Sequence, residues 1–251
     1  MKVRFNQPNK GSVIYLLPSL FTLSAMCCGF FAIFQSLNNN FIESTYLIFL
    51  AMVLDSLDGR IARLTHTSSP FGAQLDSLSD MVNFGIAPAI IMYVWGLQLL
   101  GKFGAIIVFV YAACAAMRLA RFNTMIAIVD NKYFCGLPST AAAPVIVGYV
   151  YLCDAYEFDS RIFIILAAII TIFIALSMVS NIKFYSFKEL TFNHKAKFKK
   201  LLISFIAFAL LIMYPEEFIY SFFVLYVIIS YLLFLFSLIR NKKPTFKKEI
   251  K

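Results

Sequence analysis

The chain has 251 residues, of which 61% are hydrophobic and only 14% are charged, and its mean hydropathy is +0.81. A composition this apolar excludes an ordinary water-soluble domain. A membrane span needs about 20 residues, so the chain has room for roughly eight spans with short loops and for no separate soluble domain. The net charge of +9 is distributed as expected for an anionic membrane surface, so we expect no nucleic acid partner.

Eight apolar stretches are separated by polar or charged ones, and each predicts a membrane helix. In chain order they cover 13–34, 41–54, 70–100, 103–117, 137–153, 162–179, 201–214 and 218–239. The second helix should continue past Leu54 into a charged motif, and a serine before Pro70 is a typical helix start. We treat 1–251 as one polytopic membrane domain, in which 198–251 forms two C-terminal helices and a basic tail.

The seventh stretch, 201–214, is short for a span, and the distribution of basic residues decides its assignment. With eight spans and a cytoplasmic N-terminus, 20 of the 22 Lys and Arg residues lie on the cytoplasmic side, and only Lys102 and Arg161 lie outside. Without the seventh span, the basic tail would be translocated, contrary to the positive-inside rule. We therefore predict an all-α integral protein of the cell (inner) membrane, a bundle of about eight transmembrane helices with both termini cytoplasmic.

Four aspartates lie within 26 residues around the start of the third predicted helix. Helical spacing places the motif residues of each segment on one face of its helix. These residues are Asp55, Asp58, Gly59, Ala62 and Arg63 in the first segment, then Gly72, Asp76 and Asp80 in the second. Clustered carboxylates repel one another unless a cation lies among them. Oxygen ligands suit Mg²⁺ or Mn²⁺, and four carboxylates can hold two such ions about 3.5–4 Å apart, an arrangement that clamps a phosphoryl group.

The order of these residues, DxxDGxxAR followed after eight residues by GxxxDxxxD, resembles the signature of the CDP-alcohol phosphatidyltransferase family. The resemblance implies transfer of a phosphatidyl group from a CDP-linked lipid to an alcohol, release of CMP, two divalent metals and a homodimer. The small residues Gly59, Ala62 and Gly72 would then accommodate the cytidine nucleotide. Arg63 offers a planar fork for a phosphate oxygen. The active site would face the cytoplasm.

Further stretches resemble those members of the family that use L-serine as the acceptor. They are 17–22, 76–88, 118–123, 136–143 and 178–188, within a catalytic core of 13–190. The resemblance implies CDP-diacylglycerol and L-serine as substrates, and phosphatidylserine and CMP as products. Ser19 and Asn83 depart from the pattern of those members, so we assign neither a binding role.

A serine acceptor brings a carboxylate that needs a fixed cation. Arg118 and Arg121, at the cytoplasmic end of the fourth predicted helix, are candidates, with Lys188 a third and Asn123 a polar partner. Anchoring at the membrane interface explains the two arginines equally well and Lys188 better. Asp80, the last carboxylate of the motif, is the candidate base for the serine hydroxyl.

Two alternatives stay open at this point. The same chemistry can act on another alcohol, such as glycerol phosphate or inositol phosphate, or on an archaeal CDP-lipid. In a different class, an acidic cluster can line the path of a divalent-cation transporter. A transporter more often has its carboxylates near the middle of the membrane on broken helices, whereas these lie at one edge beside an arginine.

Overall fold

The computed structural model describes residues 12–65, 67, 69–125, 133–158, 160–185, 213 and 215–239. Within these ranges the protein is helical apart from one short pair of strands. The helices are α1 (Ser12–Leu37), α2 (Phe41–Leu64), α3 (Pro70–Asp80), α4 (Ala87–Trp95), α5 (Lys102–Met125), α6 (Ser139–Ala155), α7 (Arg161–Val179) and α8 (Pro215–Ile239). Strands β1 (Tyr133–Cys135) and β2 (Lys183–Tyr185) pair antiparallel, which the sequence did not predict. Lys188, the basic tail and the seventh predicted helix, except Met213, lie outside the described residues.

Among the residues that the structure describes, five helices are long and apolar enough to cross a membrane. They are Leu17–Leu37, Pro70–Trp95, Lys102–Thr124, Arg161–Val179 and Glu217–Phe236, and α6 is a shorter apolar helix. Helix α2 is not among them because its second half carries the charged residues of the aspartate motif. Large apolar side chains are exposed along these helices, for example Phe109, Ile169 and Leu233. An apolar exterior of this kind suits lipid, and the prediction of a helical membrane protein is confirmed.

The helix that begins at Pro70 changes its hydrogen-bonding pattern partway along. Ser69 caps its start by accepting a hydrogen bond from the Gly72 backbone N–H at 3.0 Å. After Asp80 a π-helical turn covers Met81–Ile86, and the helix ends at Trp95, earlier than predicted. A 3₁₀ turn, Leu97–Leu100, fills the rest of the predicted span.

Proline accounts for part of this irregularity. Pro88 has no N–H, so it cannot donate to the carbonyl of Phe84 four residues earlier. The buried hydroxyl of Tyr111, on α5, donates to that carbonyl instead, at 3.0 Å. The π turn is thus supported by a side chain from a neighbouring helix.

This contact gives a prediction on stability. Tyr111→Phe leaves the Phe84 carbonyl buried without that donor, and we expect a loss of about 1–3 kcal/mol in the free energy of unfolding. Thermal unfolding of the purified protein in detergent measures the loss. Tyr156→Phe, at a position that is 57% exposed, is the control. Equal unfolding temperatures for the two variants would contradict this role of Tyr111.

Helix α6 lies at the centre of the bundle and is buried along most of its length. Small residues let its neighbours approach closely. A Cβ atom on Gly148 would lie 2.7 Å from Cδ2 of the Tyr220 ring, on α8. The Thr45 hydroxyl of α2 lies 3.3 Å from the Val147 carbonyl, which it reaches across the helix interface.

Helix α8 runs antiparallel to α6. Near its start, Tyr220 packs on Gly148, in the middle of α6. Near its end, the hydroxyls of Tyr231 and Ser177 are 2.6 Å apart. The carbonyl of Ser177 in turn accepts the N–H of Leu137, just before α6 begins, at 3.0 Å. Helix α8 therefore begins at the end of the bundle opposite to the one where α7 ends.

Candidate active site

Several helix ends meet at one end of the bundle and bring the predicted motif residues together. Hydrogen bonds connect these helices in pairs. They run from Thr22 on α1 to Asp58 on α2 (2.6 Å), from Asn123 on α5 to Ser77 on α3 (2.9 Å), and from Arg118 on α5 to Ser139 on α6 (3.0 Å). These hydrogen bonds therefore join five helices that are separated in the sequence: α1, α2, α3, α5 and α6.

Three of the four motif aspartates form a compact cluster. Carboxylate oxygens of Asp55, Asp76 and Asp80 all lie within 4.8 Å of one another. Oδ1 of Asp80 is buried and has no hydrogen-bond partner among the residues that the structure describes. Asp58 lies beside this group and is only 4% exposed. An all-oxygen donor set with an unpartnered buried oxygen fits a divalent cation such as Mg²⁺ or Mn²⁺.

The electrostatics of the cluster also favour a cation. Burial, and then the charges of Asp80 and Asp76, raise the pKa of the Asp55 carboxyl. Burial raises the pKa of Asp58 as well, and hydrogen bonds from Thr22 and the Gly59 backbone oppose that rise only in part. Without a cation, protonation of these two groups is therefore easier than protonation of a solvent-exposed carboxylate. A bound cation would favour the ionised carboxylates instead.

A cavity of about 180 Å³ opens beside the cluster, between α1, α2 and α3. It is lined by Pro18, Ser19, Thr22, Asp58, Gly59, Ala62, Thr67, Ser69, Gly72, Ala73 and Asp76. All three small residues that the sequence assigned to the nucleotide are in this lining. A Cβ atom added to Gly59 would meet nothing within 4 Å, so a larger side chain there would project into open space. Ser19, to which the sequence analysis gave no role, also lines the cavity.

Arg63 does not line this cavity. Its Nε donates to the carbonyl of Gly59, one turn earlier on the same helix, at 3.0 Å, and the side chain is exposed. A contact between its guanidinium and a phosphate would require a different rotamer.

The two candidate arginines of α5 differ in their surroundings. Arg118 is half-buried and donates to the Ser139 hydroxyl at 3.0 Å, with its guanidinium carbon 5.2 Å from the centre of the Phe122 ring. It lies within electrostatic range of the Asp80 carboxylate and of Tyr226, on α8. Arg118 thus belongs to the site.

Arg121 forms its hydrogen bonds with residues other than the aspartates. Its Nη2 donates to Asn181 Oδ1 at 2.8 Å and to Cys135 Sγ at 3.0 Å, and its Nη1 donates to the Val179 carbonyl at 3.4 Å. These bonds tie the end of α5 to the end of α7 and to β1. Asn123 is exposed and donates to Ser77 on α3. Both residues hold helix ends together.

From the sequence, no role was assigned to three residues that lie at this site, namely Thr22, Ser139 and Tyr226. Thr22 and Ser139 lie in stretches that carried the resemblance, but nothing in the sequence indicated which side chains they contact. Tyr226 is in an apolar helix without a motif, so only the packing of α8 reveals it.

A helical membrane protein with a carboxylate cluster that fits a divalent cation, next to a cavity at one end of the bundle, has the features of a membrane-embedded enzyme. The sequence profile of the CDP-alcohol phosphatidyltransferase family matches residues 15–176, and the chain belongs to this family. The family predicted from the aspartate motif is thus confirmed, and the transporter alternative is wrong.

Relatives from bacteria, archaea and yeast carry one name, CDP-diacylglycerol–serine O-phosphatidyltransferase. The protein from Helicobacter pylori is 34% identical over 231 residues, which are 90% of this chain and 94% of that protein. The one from Methanocaldococcus jannaschii is 43% identical over 143 residues, 57% of this chain and 64% of its own. The yeast protein, from Saccharomyces cerevisiae, is 41% identical over 113 residues, 42% of this chain and 40% of its own.

Proposed function

We propose that the protein transfers a phosphatidyl group from CDP-diacylglycerol to L-serine and so makes phosphatidylserine and CMP. The names of the relatives support this choice of acceptor. The structural observation that carries it is Arg118, a half-buried cation within electrostatic range of Asp80. The same chemistry on glycerol phosphate, inositol phosphate or an archaeal CDP-lipid is the alternative.

In this proposal Asp55, Asp58, Asp76 and Asp80 hold two Mg²⁺ or Mn²⁺ ions. When bound, the ions supply positive charge to the pyrophosphate and to the leaving CMP. The cavity beside Gly59, Ala62 and Gly72 takes the cytidine nucleotide, and Arg63, in another rotamer, neutralises a phosphate oxygen at its rim. The catalytic core is 13–190, and α8 adds Tyr226 to its edge.

The acceptor enters on the side of Arg118, whose guanidinium binds the serine carboxylate. Asp80 takes the proton of the serine hydroxyl while the serine oxygen bonds to phosphorus. In the same step the bond from phosphorus to the CMP oxygen breaks. Ser139 and Phe122 hold Arg118 in place. Arg121 and Asn123 act by positioning helix ends, while Lys188, outside the described residues, stays a candidate for the serine site.

The two arginines give a matched test of the acceptor. Arg118→Ala removes a partly desolvated charge from the acceptor side, which costs roughly 2–5 kcal/mol, so we expect the KM for serine to rise more than about tenfold. The KM for CDP-diacylglycerol should change little. Arg121→Ala should instead lower the unfolding temperature and change both KM values to a similar, small extent.

Steady-state kinetics with each substrate varied in turn measures these effects. Equal losses for both substrates in Arg118→Ala would assign Arg118 to the nucleotide side or to the fold. A selective rise in the KM for serine in Arg121→Ala would exchange the roles of the two residues.

We further propose eight spans, both termini and the active site in the cytoplasm, and a homodimer in the inner membrane. The antiparallel packing of α8 on α6 supports the span count. The chain leaves α7 at the end of the bundle that carries the site and enters α8 at the opposite end, which is the arrangement that eight spans require.

Cysteine labelling tests this topology in a variant without the five native cysteines. We expect Glu216→Cys to react with a membrane-impermeant reagent added to intact cells. Thr65→Cys, on the side of the site, and Lys243→Cys, in the tail, should react only after permeabilisation. Labelling of Glu216→Cys and Lys243→Cys from the same side would contradict the eight-span arrangement.

A further inference from the structure

A continuous line of buried polar groups joins α1 to the aspartate site. The Thr22 hydroxyl donates to Oδ2 of Asp58 at 2.6 Å, and both residues are only 4% exposed. The Thr22 carbonyl accepts the hydroxyl of Ser79 at 3.1 Å, and the Ser79 oxygen accepts the side-chain amide of Asn83 at 3.2 Å. Ser79 and Asn83 are fully buried. Four residues from three segments therefore form one hydrogen-bonded chain that ends on Asp58.

Among these hydrogen bonds, the one from Thr22 to Asp58 is the strongest candidate for a functional role. A hydroxyl has a single proton, and Asp58 is nearer to Thr22 than the alternative acceptor, the Pro18 carbonyl at 3.1 Å. A hydrogen bond from a hydroxyl to a carboxylate at this distance is short and charge-assisted. It fixes one oxygen of Asp58 and so limits the rotation of its carboxylate.

Asn83, at the other end of this row of hydrogen bonds, explains how Thr22 is held in place. Asn83 lies in the π turn, and its Oδ1 is buried without a partner among the described residues. That oxygen lies against Gly29 of α1, where an added Cβ atom would overlap it. The amide of Asn83 is thus confined between α1 and Ser79. Because Ser79 bonds to the backbone of Thr22, helix α1 is held in register with the segment that carries Asp76 and Asp80.

We infer that Thr22 is a positioning residue for divalent-cation binding, which orients Asp58 and is itself held by Ser79 and Asn83. This inference rests on the proposed function, in which Asp58 is a metal ligand. Groups that orient a ligand typically change metal affinity by about 10–100-fold when they are removed. Helix α1 then contributes to the metal site without supplying a ligand.

The test compares threonine variants by their binding of Mn²⁺ alone. Thr22→Val replaces the hydroxyl by a methyl group of similar size, and we expect the Kd for Mn²⁺ to rise about 10–100-fold. Thr22→Ser keeps the hydroxyl and should retain wild-type affinity. Thr171→Val is the matched control, because Thr171 is also fully buried and its hydroxyl donates within its own helix, to Ala167 on α7. Electron paramagnetic resonance of free Mn²⁺, with purified protein and no substrate, measures each Kd.

A purely structural role would give a different result. Thr22→Val would then lower the unfolding temperature while binding Mn²⁺ as tightly as Thr171→Val, and the inference would be overturned. If Thr22→Val does not fold, Thr22→Ala makes the same comparison without placing a methyl group against the carboxylate. Failure of wild-type protein to bind Mn²⁺ would overturn the proposed metal site itself, whereas binding by wild type and Thr22→Val alike would overturn only the role of Thr22.

Discussion

The Asp76→Asn and Asp58→Asn variants are expected to lose at least about 10³-fold in transferase activity, since the bound cations supply several kcal/mol of charge stabilisation. Wild-type protein in excess EDTA should be equally inactive, and Mg²⁺ or Mn²⁺ should restore it. The reason is that buried carboxylates close together repel an anionic pyrophosphate unless cations lie between them.

The same repulsion predicts that these variants keep their fold. Burial and neighbouring carboxylates raise the pKa of Asp55, so the cluster without a cation is electrostatically unfavourable. Removing one carboxylate reduces this repulsion. The unfolding temperature of Asp76→Asn without metal should therefore equal or exceed that of wild type.

Activity assays and thermal unfolding, each with and without metal, separate the two effects. Glu43→Gln, which changes an exposed carboxylate near the start of α2, far from the site, is the control and should remain active. Full turnover in EDTA, or by Asp76→Asn, would exclude the two-metal proposal.

The second large effect concerns Asp80 as the base. A serine hydroxyl is a poor nucleophile unless its proton is removed as its oxygen attacks. Oδ1 of Asp80 is buried and has no hydrogen-bond partner among the described residues, and the Asp80 carboxylate lies within electrostatic range of Arg118. Nearby cations would keep Asp80 ionised but only weakly basic, so positioning and charge must supply much of the rate.

Asp80→Asn should therefore lower kcat by ~10²–10⁴-fold, the usual contribution of general base catalysis. Binding of CDP-diacylglycerol should change little, which equilibrium binding with the purified variant measures. Asp76→Asn serves as the comparison, because Asp76 is proposed only as a metal ligand and not as the base, so its replacement should weaken nucleotide binding more than that of Asp80. If Asp80→Asn loses nucleotide binding and extra Mg²⁺ restores activity, Asp80 is chiefly a metal ligand and the base is another group.

Local periodicity made the core of the site predictable. The spacing of Asp55, Asp58, Asp76 and Asp80 is helical, and α2 does continue unbroken through the first pair. Gly59 and Ala62 line one cavity because they share a face of α2, and Gly72 lines it from α3. Such a pattern depends only on the helix that carries it.

Contacts between distant segments were not predictable. Arg118 and Arg121 are equivalent in the sequence, and only Ser139 on α6 and Asn181 after α7 distinguish them. The π turn needed Tyr111, a donor from another helix, to replace the bond that Pro88 cannot make. The hydrogen bond from Thr22 to Asp58 likewise joins two helices, and the spacing of residues in the sequence does not indicate how those helices pack against each other.

The identity of the acceptor is the central claim, and lipid synthesis by purified protein tests it most directly. The protein is incubated with CDP-diacylglycerol, Mn²⁺ or Mg²⁺ and one alcohol at a time, and the products are identified by mass spectrometry. L-serine should give phosphatidylserine and an equal amount of CMP, while glycerol phosphate and inositol phosphate should give no lipid product. A lipid product from either of those alcohols, with none from serine, would contradict the account.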